Sequence, residues 1–271
     1  MREYDYIIVG AGSAGCVLAE RLSANGRHSV LVLEAGGTPR KPWVALPLGY
    51  GKTFYDPAVN WKYQSEHEEA LVGRSGYWPR GKVVGGSGSI NAMVYARGLA
   101  QDFNDWEAAG AKGWNWETVQ QTYERLETRI APDGTRHGGG PIHVQDVSDQ
   151  IHKVNRHFFA AARELGLPQT LDMNGTSPEG ASAYRINTSG GRRMHSARAC
   201  LAPALRRQNV TLMTGVMVAR IGFDGRRATR VEVTRKGRAQ SLQARREIIL
   251  SAGAVSSPRL LQLSGIGPAD M

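Results

Sequence analysis

A short apolar run, Tyr6–Val9, leads directly into three glycines at the spacing Gly-x-Gly-x-x-Gly: Gly10, Gly12 and Gly15. A stretch with helical spacing of apolar residues follows, and then a second apolar run, Val30–Leu33. This order predicts strand, turn, helix and strand, in which two buried parallel strands are joined by a right-handed crossover. The first glycine permits the tight turn, the second lets the backbone approach a pyrophosphate, and the third lets the helix pack on the strand. The sequence therefore predicts a parallel α/β fold with a dinucleotide site near its N-terminus.

The residues next to these glycines carry groups that suit the phosphates and the ribose of a dinucleotide. Ser13 and Ala14 open the predicted helix. The unpaired N–H groups of such a helix start, with a charge equivalent of roughly +0.5, stabilise an anion. Glu34 ends the second strand and is followed by Ala35, at about the 20-residue offset expected of a carboxylate that accepts hydrogen bonds from ribose hydroxyls. The alternative for Glu34 is an acid exposed at a strand end, and these features alone leave NAD and FAD both open.

A second glycine-rich segment, Arg80–Gly98, separates these two cofactors. It contains Val84, Gly85, Gly86 and Ser87, whose exposed backbone donors would form a nest for a phosphate or for the edge of an isoalloxazine ring. A domain that binds only NAD has no need of such a loop, so the loop favours a flavin. The alternative is a merely flexible glycine loop, which the order Trp-Pro-Arg before it and Asn-Ala-Met-Val after it argues against.

The rest of the chain is predicted to contain a long loop, two amphipathic helices and a group of strands. Residues 39–80 are rich in Pro, Gly and Trp without a sustained period, which predicts extended loop. Asn115 is a suitable N-cap for one helix, and Ser148 for another that would end at Gly166. Strands are expected at 210–214, 216–223, 228–235 and 239–244, followed by a buried run at 247–251. Asp-Gly and Lys-Gly turns make the last three of these strands an antiparallel meander.

Composition limits the partners of the chain. The 271 residues carry a formal charge of +10, but the basic residues are scattered in pairs without interleaved aromatics, so nucleic acid is not an expected partner. Cys16 and Cys200 stand far apart with no metal-ligand spacing, which favours neither a disulfide framework nor a metal site and makes a reducing cytoplasm the default. No apolar run approaches the ~18 residues of a membrane span. Contact with the periphery of the inner membrane stays open.

Longer motifs between residues 5 and 267 make a family resemblance specific. They are Leu33-Glu-Ala-Gly36, Asn60-Trp-Lys-Tyr63, the Gly85-Gly-Ser loop, His137-Gly-Gly-Gly-Pro141, Gly191-Arg-Arg with Ser196-Ala-Arg-Ala199, and the stretch from Ser251-Ala-Gly-Ala to Gly267. The chain resembles the N-terminal portion of the GMC (glucose, methanol, choline) flavoprotein oxidoreductases, and within them the bacterial alcohol and choline dehydrogenases. The resemblance implies a Rossmann-like FAD-binding fold with a parallel sheet and an antiparallel meander, together with part of an inserted α+β substrate domain.

The resemblance also implies a division of the chain and a set of residues around FAD. Residues 1–140 and 201–271 would form the two parts of the FAD-binding domain, and residues 141–200 part of the substrate-binding domain. The residues implied to hold or border FAD are Gly10, Gly12, Ser13, Ala14, Gly15, Glu34, Ala35, Val84, Gly85, Gly86, Ser87, Asn91, Ala92, Met93, Val94, Val218, Ala252 and Gly253. Some relatives attach FAD to a histidine at the position of Ile90, so non-covalent FAD is expected here.

The implied reaction is the oxidation of a small-molecule primary alcohol to an aldehyde by hydride transfer to the flavin. In the family the base that deprotonates the alcohol is a histidine in the C-terminal portion, and none of the seven histidines here stands in a matching motif. No catalytic residue is therefore assigned. Two hypotheses stay open. One is an alcohol-oxidising flavoenzyme, represented by its N-terminal portion or completed by a second chain. The other is a non-catalytic FAD- or dinucleotide-binding module. Self-association is a separate expectation, because strands between about Pro141 and Asn187 would expose edges that are covered in the family.

Overall fold

The computed structural model describes residues 3–170, 172–175 and 179–268. The chain divides into two compact units: the residues up to Ala92 together with those from His195 onward form the first, and Met93–Met194 form the second. These unit boundaries differ from the division predicted at 140/141 and 200/201, which as a statement about functional domains stays a prediction. Residues 93–140 belong to the second unit because they contribute three strands to its sheet. Residues 195–200 belong to the first because they begin a helical turn that packs in its core.

The strands and helices are numbered in chain order. The strands are β1 (Glu3–Val9), β2 (Val30–Glu34), β3 (Tyr63–Gln64), β4 (Tyr77–Trp78), β5 (Val94–Tyr95), β6 (Glu127–Ile130), β7 (Arg136–Gly138), β8 (Ile142–Gln145), β9 (Arg185–Ile186), β10 (Thr188–Ser189), β11 (Arg192–Arg193), β12 (Val210–Thr214), β13 (Val216–Asp224), β14 (Arg227–Arg235) and β15 (Arg238–Leu250). The α-helices are α1 (Ser13–Ser23), α2 (Pro42–Ala45), α3 (Tyr50–Thr53), α4 (Ala100–Ala108), α5 (Trp116–Leu126), α6 (Asn155–Glu164), α7 (Ala202–Ala204) and α8 (Gly253–Leu263). Short 3-10 helices lie at Pro47–Gly49, Glu69–Leu71 and Gly86–Ser89, and a π-helical turn lies at Ala197–Leu201.

A six-stranded sheet in the order β12-β2-β1-β15-β14-β13 forms the centre of the first unit. The strands β12, β2, β1 and the end of β15 run parallel, while β15, β14 and β13 form an antiparallel meander. The strand, turn, helix and strand predicted at the start of the chain and the predicted meander are both present. The runs at 239–244 and 247–251, predicted as separate, are one strand, because β15 pairs with β14 at its start and with β1 at its end.

The central strands are buried on both faces, as their continuous apolar sequences predict. Every residue of β2 is buried, and successive residues of β1 point to opposite sides, Ile7 into one core and Ile8 into the other. Cys16 and Ala19 of α1 pack on the Ile8 side, whereas Leu260 of α8 packs on the Ile7 side. The two helices therefore lie on opposite faces of the sheet. Each starts just after a strand that ends at the same sheet edge.

The second unit has a five-stranded sheet in the order β5-β9-β8-β6-β7. The helix predicted after Asn115 is present as α5, and the Asn115 side chain caps it by accepting a backbone N–H at 2.9 Å. The helix predicted after Ser148 is α6, which begins only at Asn155, because the Ser148 N–H is bound by Asp146 in a turn at 2.9 Å. The predicted end of this helix at Gly166 is correct, and Gly166 has a φ of +79°.

Residues 39–80, predicted as extended loop, contain more regular structure than expected. Two short α-helices and two 3-10 helices occupy part of this segment, and β3 pairs with β4 in a short antiparallel hairpin. Each of these elements is only two to four residues long, so none has a periodic apolar pattern from which it could be predicted. Within the described ranges, no helix is both long enough and apolar enough to span a bilayer.

A buried ion pair joins β6 of the second unit to the segment after β5. Arg97 Nε donates to Glu127 Oε1 at 3.0 Å and its Nη2 donates to Oε2 at 2.5 Å, and the two side chains are only 8% and 3% exposed. The Tyr95 hydroxyl donates to the same carboxylate at 2.7 Å, and the Tyr123 ring centroid lies 5.0 Å from the guanidinium. Because each charge is buried next to the other, removing one leaves an uncompensated buried charge.

Replacing Glu127 by alanine is expected to destabilise the second unit by about 3 to 5 kcal/mol, because the Arg97 charge then stays buried without its carboxylate. Urea denaturation followed by tryptophan fluorescence measures the loss. Glu232→Ala is the matched control, since its pair with Arg220 lies on the exposed surface and should contribute little. Equal losses in the two variants would contradict the structural role of the buried pair.

Candidate functional site

A cleft of about 450 Å³ opens in the first unit at the carboxyl ends of its parallel strands. Its walls come from the ends of β1, β2 and β15, the first turns of α1 and α8, the 3-10 helix Gly86–Ser89 and the start of β13. Open α/β sheets bind their ligands at this edge, where the strands end and the helices begin. The fold thus places the cleft where the glycine motif predicts a dinucleotide.

Two helix N-termini meet at the cleft. Gly12 is the N-cap of α1 and Ala252 that of α8, and in neither helix does a side chain cap the first N–H groups. Neither first turn holds an acidic side chain. Such a helix start carries unpaired backbone donors and about half a positive charge, so it attracts an anion. Two positive helix ends in the walls of one cleft suit a pyrophosphate.

The turn between β1 and α1 depends on glycine at two positions. Gly10 has a φ of +102°, and a Cβ on Gly15 would lie 2.0 Å from the Gly10 carbonyl oxygen. The Ser251 hydroxyl, which follows the end of β15, donates to the same carbonyl at 2.7 Å. The turn is therefore held on one side by the close approach of α1 and on the other by a residue 241 positions further along the chain.

Glu34 presents a buried carboxylate to the cleft. It is 6% exposed and accepts the N–H of Ala11 at 3.0 Å and the N–H of Gly36 at 2.9 Å, so it is not an acid exposed at a strand end. Burial raises the pKa of this carboxyl, and the two backbone donors and the Lys82 charge oppose that rise. A carboxylate has more acceptor positions than these two hydrogen bonds use. It can therefore also accept hydrogen bonds from the hydroxyls of a ribose.

The second glycine-rich segment packs against the first. The N–H of Gly85 donates to the Ala11 carbonyl at 2.7 Å, and a Cβ on Gly86 would lie 2.8 Å from Gly12 Cα. Gly85 and Gly86 both have positive φ angles, of 94° and 56°. The segment is held in place by these contacts, and it presents Gly86 and Ser87 to the cleft.

Most of the residues predicted to hold the cofactor come together here. Those that line the cleft are Gly10, Gly12, Ser13, Ala14, Glu34, Ala35, Gly86, Ser87, Val218, Ala252 and Gly253. Gly15, Val84 and Gly85 lie behind the wall, in the helix, the core and the turn that shape it. Asn91 and Ala92 belong to the same unit without lining the cleft, and Met93 and Val94 belong to the second unit. For every one of these residues, contact with a cofactor stays a prediction.

Sequence analysis did not identify an aromatic and basic part of the cleft wall. Trp61 and Tyr63 stack with 5.9 Å between ring centroids, and the Lys82 ammonium lies 4.6 Å from the centre of the Trp61 ring. The Tyr63 hydroxyl is 3.1 Å from the Ser256 hydroxyl in α8, and Arg80 also lines the cleft. The motif Asn60-Trp-Lys-Tyr63 is one of those that carry the family resemblance, but it did not predict this contact. No local pattern shows that it meets a helix 193 positions later.

The chain is similar along nearly its whole length to one family of known proteins. The family model described as GMC oxidoreductase matches residues 4–271. Oxygen-dependent choline dehydrogenase of Photobacterium profundum is 41% identical over 98% of this chain and 47% of its own length. Mitochondrial choline dehydrogenase of Mus musculus is 41% identical over 99% of this chain and 46% of its own length. Among solved structures, pyridoxine 4-oxidase from Mesorbium loti has a TM-score of 0.90 at 36% identity, over 98% of this chain and 52% of that one.

The chain therefore belongs to the GMC oxidoreductase family. Enzymes of this family are FAD-dependent, and the chain contains their FAD-binding N-terminal domain with its α/β fold. The predictions of the family, the fold class and FAD are thereby confirmed. The chain spans about half the length of the curated relatives that it matches.

Replacing Gly15 by alanine is expected to lower the free energy of unfolding by about 3 kcal/mol or more and to abolish FAD binding, because the new Cβ would lie 2.0 Å from the Gly10 carbonyl oxygen. Calorimetry of the FAD-free chain and a flavin-fluorescence titration measure the two effects. Gly51→Ala is the matched control, since a Cβ on Gly51 in α3 meets nothing within 4 Å. A Gly15→Ala chain that melts like the wild type would show that the turn is packed differently.

Proposed function

We propose that this chain binds FAD non-covalently in the cleft of its first unit and forms the cofactor-binding part of a flavoenzyme that oxidises a primary alcohol to an aldehyde. Bound FAD would accept the hydride from the alcohol carbon on its isoalloxazine ring. The observation that supports the proposal best is the meeting of two uncapped helix N-termini, a buried carboxylate and two glycine turns around one cleft. The first unit is assigned as the FAD-binding domain and the second as part of the substrate-binding domain.

Each part of the cleft has a counterpart in FAD. The first N–H groups of α1 and the Ser13 hydroxyl would bind the pyrophosphate, because no side chain caps the start of this helix and its N–H groups are free to donate to an anion. The Glu34 carboxylate would accept hydrogen bonds from the hydroxyls of the adenosine ribose. Each such charge-assisted hydrogen bond contributes about 1.5 to 3 kcal/mol. The negative charge of Glu34 would also repel a phosphate on that ribose. Gly86 and Ser87 would lie along the flavin, and Val218 beside the adenine.

At Gly12 the fold of the protein does not require glycine, whereas a bound ligand would. Its φ and ψ of −75° and −166° are extended backbone that any residue adopts. An added Cβ would meet the Ser251 carbonyl oxygen at 3.7 Å and Gly86 Cα at 4.0 Å, which are ordinary contacts. The protein alone therefore tolerates a side chain at this position. A pyrophosphate lying against the backbone would leave no room for a side chain. The presence of glycine at this position therefore supports placing the pyrophosphate here.

Ile90 supports the non-covalent attachment of FAD. Its side chain is buried in an apolar cluster with Val44, Val59 and Val83. An aliphatic side chain has no nucleophilic atom that could bond to a flavin. FAD is therefore expected to be extractable from the purified protein without proteolysis.

The substrate class is proposed from the relatives. The names of the choline dehydrogenases and of pyridoxine 4-oxidase refer to small molecules that carry a primary alcohol. Oxidation of such an alcohol needs a general base within hydrogen-bond reach, worth about 10² to 10⁴ in rate. No residue of this chain is assigned as that base, so we expect it from a complementing C-terminal chain.

The second candidate is an FAD-binding module without catalysis. It is supported by the cleft itself, which suits a dinucleotide and needs no catalytic base to bind one. In either case we place the protein in the cytoplasm, because Cys16 and Cys200 are both free and buried. Contact with the periphery of the inner membrane is the alternative location.

Replacing Gly12 by alanine is expected to weaken FAD binding at least about tenfold, a loss of ~1.4 kcal/mol or more. The melting temperature of the FAD-free chain should not change, since the Cβ has room in the protein. A flavin-fluorescence titration and calorimetry measure the two quantities, with NAD as the control ligand. Wild-type protein that binds no dinucleotide, or that binds NAD in place of FAD, would contradict the proposed function.

The purified chain is expected to oxidise primary alcohols, choline and pyridoxine included, only at background rate in a dye-linked assay. Co-expression with the C-terminal half of a choline dehydrogenase should raise the rate by about 10² or more, because it supplies the missing base. The C-terminal half alone is the control. Full activity of the purified chain would place the base within it, and FAD binding without activity in any combination would favour the non-catalytic module.

A further inference from the structure

His195 lies behind the second glycine turn and is not part of the cleft wall. We propose that His195 is a positioning residue whose imidazole, acting through Ser89, fixes the Gly85–Gly86 turn at the cofactor cleft. The inference rests on the proposed function, in that FAD is taken as the ligand whose binding reports the position of the turn. All the residues involved belong to the first unit.

The contact between His195 and Ser89 indicates which imidazole nitrogen carries the proton. Both residues are buried, and His195 Nδ1 lies 3.4 Å from Ser89 Oγ. The Ser89 hydroxyl donates to the Val84 carbonyl at 2.8 Å. A serine hydroxyl has one proton, and the shorter contact uses it. This contact therefore favours the imidazole tautomer in which Nδ1 of His195 is protonated and donates to Ser89 Oγ.

Gly85 is the residue against which this pair packs. Its φ is +94°, and an added Cβ would lie 2.2 Å from Ser89 Oγ and 2.7 Å from His195 Nδ1. Gly85 therefore has no room for a side chain on the face that points to these two polar atoms. The next residue, Gly86, lines the cleft and touches the Gly12 backbone. A shift of the imidazole therefore moves the backbone that faces the cofactor.

The backbone of His195 is anchored to a turn that packs against α1, the helix proposed to bind the phosphates. Its carbonyl accepts the N–H of Arg198 at 2.9 Å and the N–H of Ala199 at 3.0 Å, at the start of the π-helical turn. Two residues of that turn pack in the same core as Cys16 of α1. Turns of this type occur frequently at functional sites. His195 thus joins the core under the phosphate-binding helix to the glycine turn beside it.

Three substitutions separate the hydrogen bond from the volume of the side chain. His195→Phe keeps a ring without a donor, His195→Asn keeps a donor near the Nδ1 position, and Ser89→Ala removes the acceptor. The dissociation constant of FAD should rise about tenfold in His195→Phe, as expected for one buried hydrogen bond. It should rise at least as much in Ser89→Ala, which also loses the hydrogen bond to the Val84 carbonyl. It should stay within about threefold of the wild type in His195→Asn, since the donor is kept. The double variant His195→Phe/Ser89→Ala should bind no more weakly than Ser89→Ala alone, because Ser89→Ala already removes the contact with His195.

The tautomer of His195 gives a measurement that does not need the cofactor. Imidazole ¹⁵N NMR of the FAD-free chain at pH 8 should show the proton on Nδ1, and the tautomer ratio should change in Ser89→Ala. A proton on Nε2 in the wild type, wild-type affinity in His195→Phe, or equal weakening in His195→Asn and His195→Phe would overturn the inference. Failure of the wild-type chain to bind FAD contradicts the proposed function, and the tautomer then still decides the inference.

Discussion

The parallel pairing of β1 with the end of β15 brings two distant parts of the chain to one sheet edge. The register places Val9 beside Leu250, so Gly10 and Ser251 leave the sheet next to each other. The hydrogen bond from the Ser251 hydroxyl to the Gly10 carbonyl follows from that register. Because α1 and α8 start from these neighbouring strands, their N-termini converge, although their bodies lie on opposite faces of the sheet. The cleft exists only if this pairing forms.

The glycines of the site serve two different physical requirements. Gly10 and Gly85 adopt positive φ angles, and Gly15 lets α1 approach the turn, so all three are needed for the protein to fold as it does. Gly12 has ordinary dihedral angles and room for a side chain, so no contact among the described residues requires it to be glycine. One short motif therefore combines residues that shape the turn with a residue that leaves space for a ligand.

The sequence predicted those features that depend on local pattern. The strand, turn, helix and strand at the start and the meander after Val210 follow from apolar runs and turn dipeptides, and the structure confirms both. From the sequence, β15 was predicted as two separate runs, because Arg245 and its neighbour interrupt the apolar residues. In the structure Arg245 Nε lies 3.1 Å from Asp5 Oδ1 of β1, so the pairing accommodates the charge within one strand. Trp61 and Tyr63 were missed for a related reason, since their place in the cleft depends on contacts with α8 that no local period encodes.

The protonation state of the Glu34 carboxyl would be coupled to the binding of FAD in the cleft. Burial raises the pKa of this carboxyl, so the folded chain binds the proton more tightly than the unfolded chain does, and the contribution of Glu34 to stability falls as the pH rises above its ordinary value of 4.5. The N–H groups of Ala11 and Gly36 offset part of this cost. Ribose hydroxyls that donate to the same carboxylate would stabilise its charged form further and lower the pKa. If FAD binds as proposed, its binding and the release of the Glu34 proton would favour each other, and near neutral pH the ligand would stabilise a charge that burial in the fold disfavours.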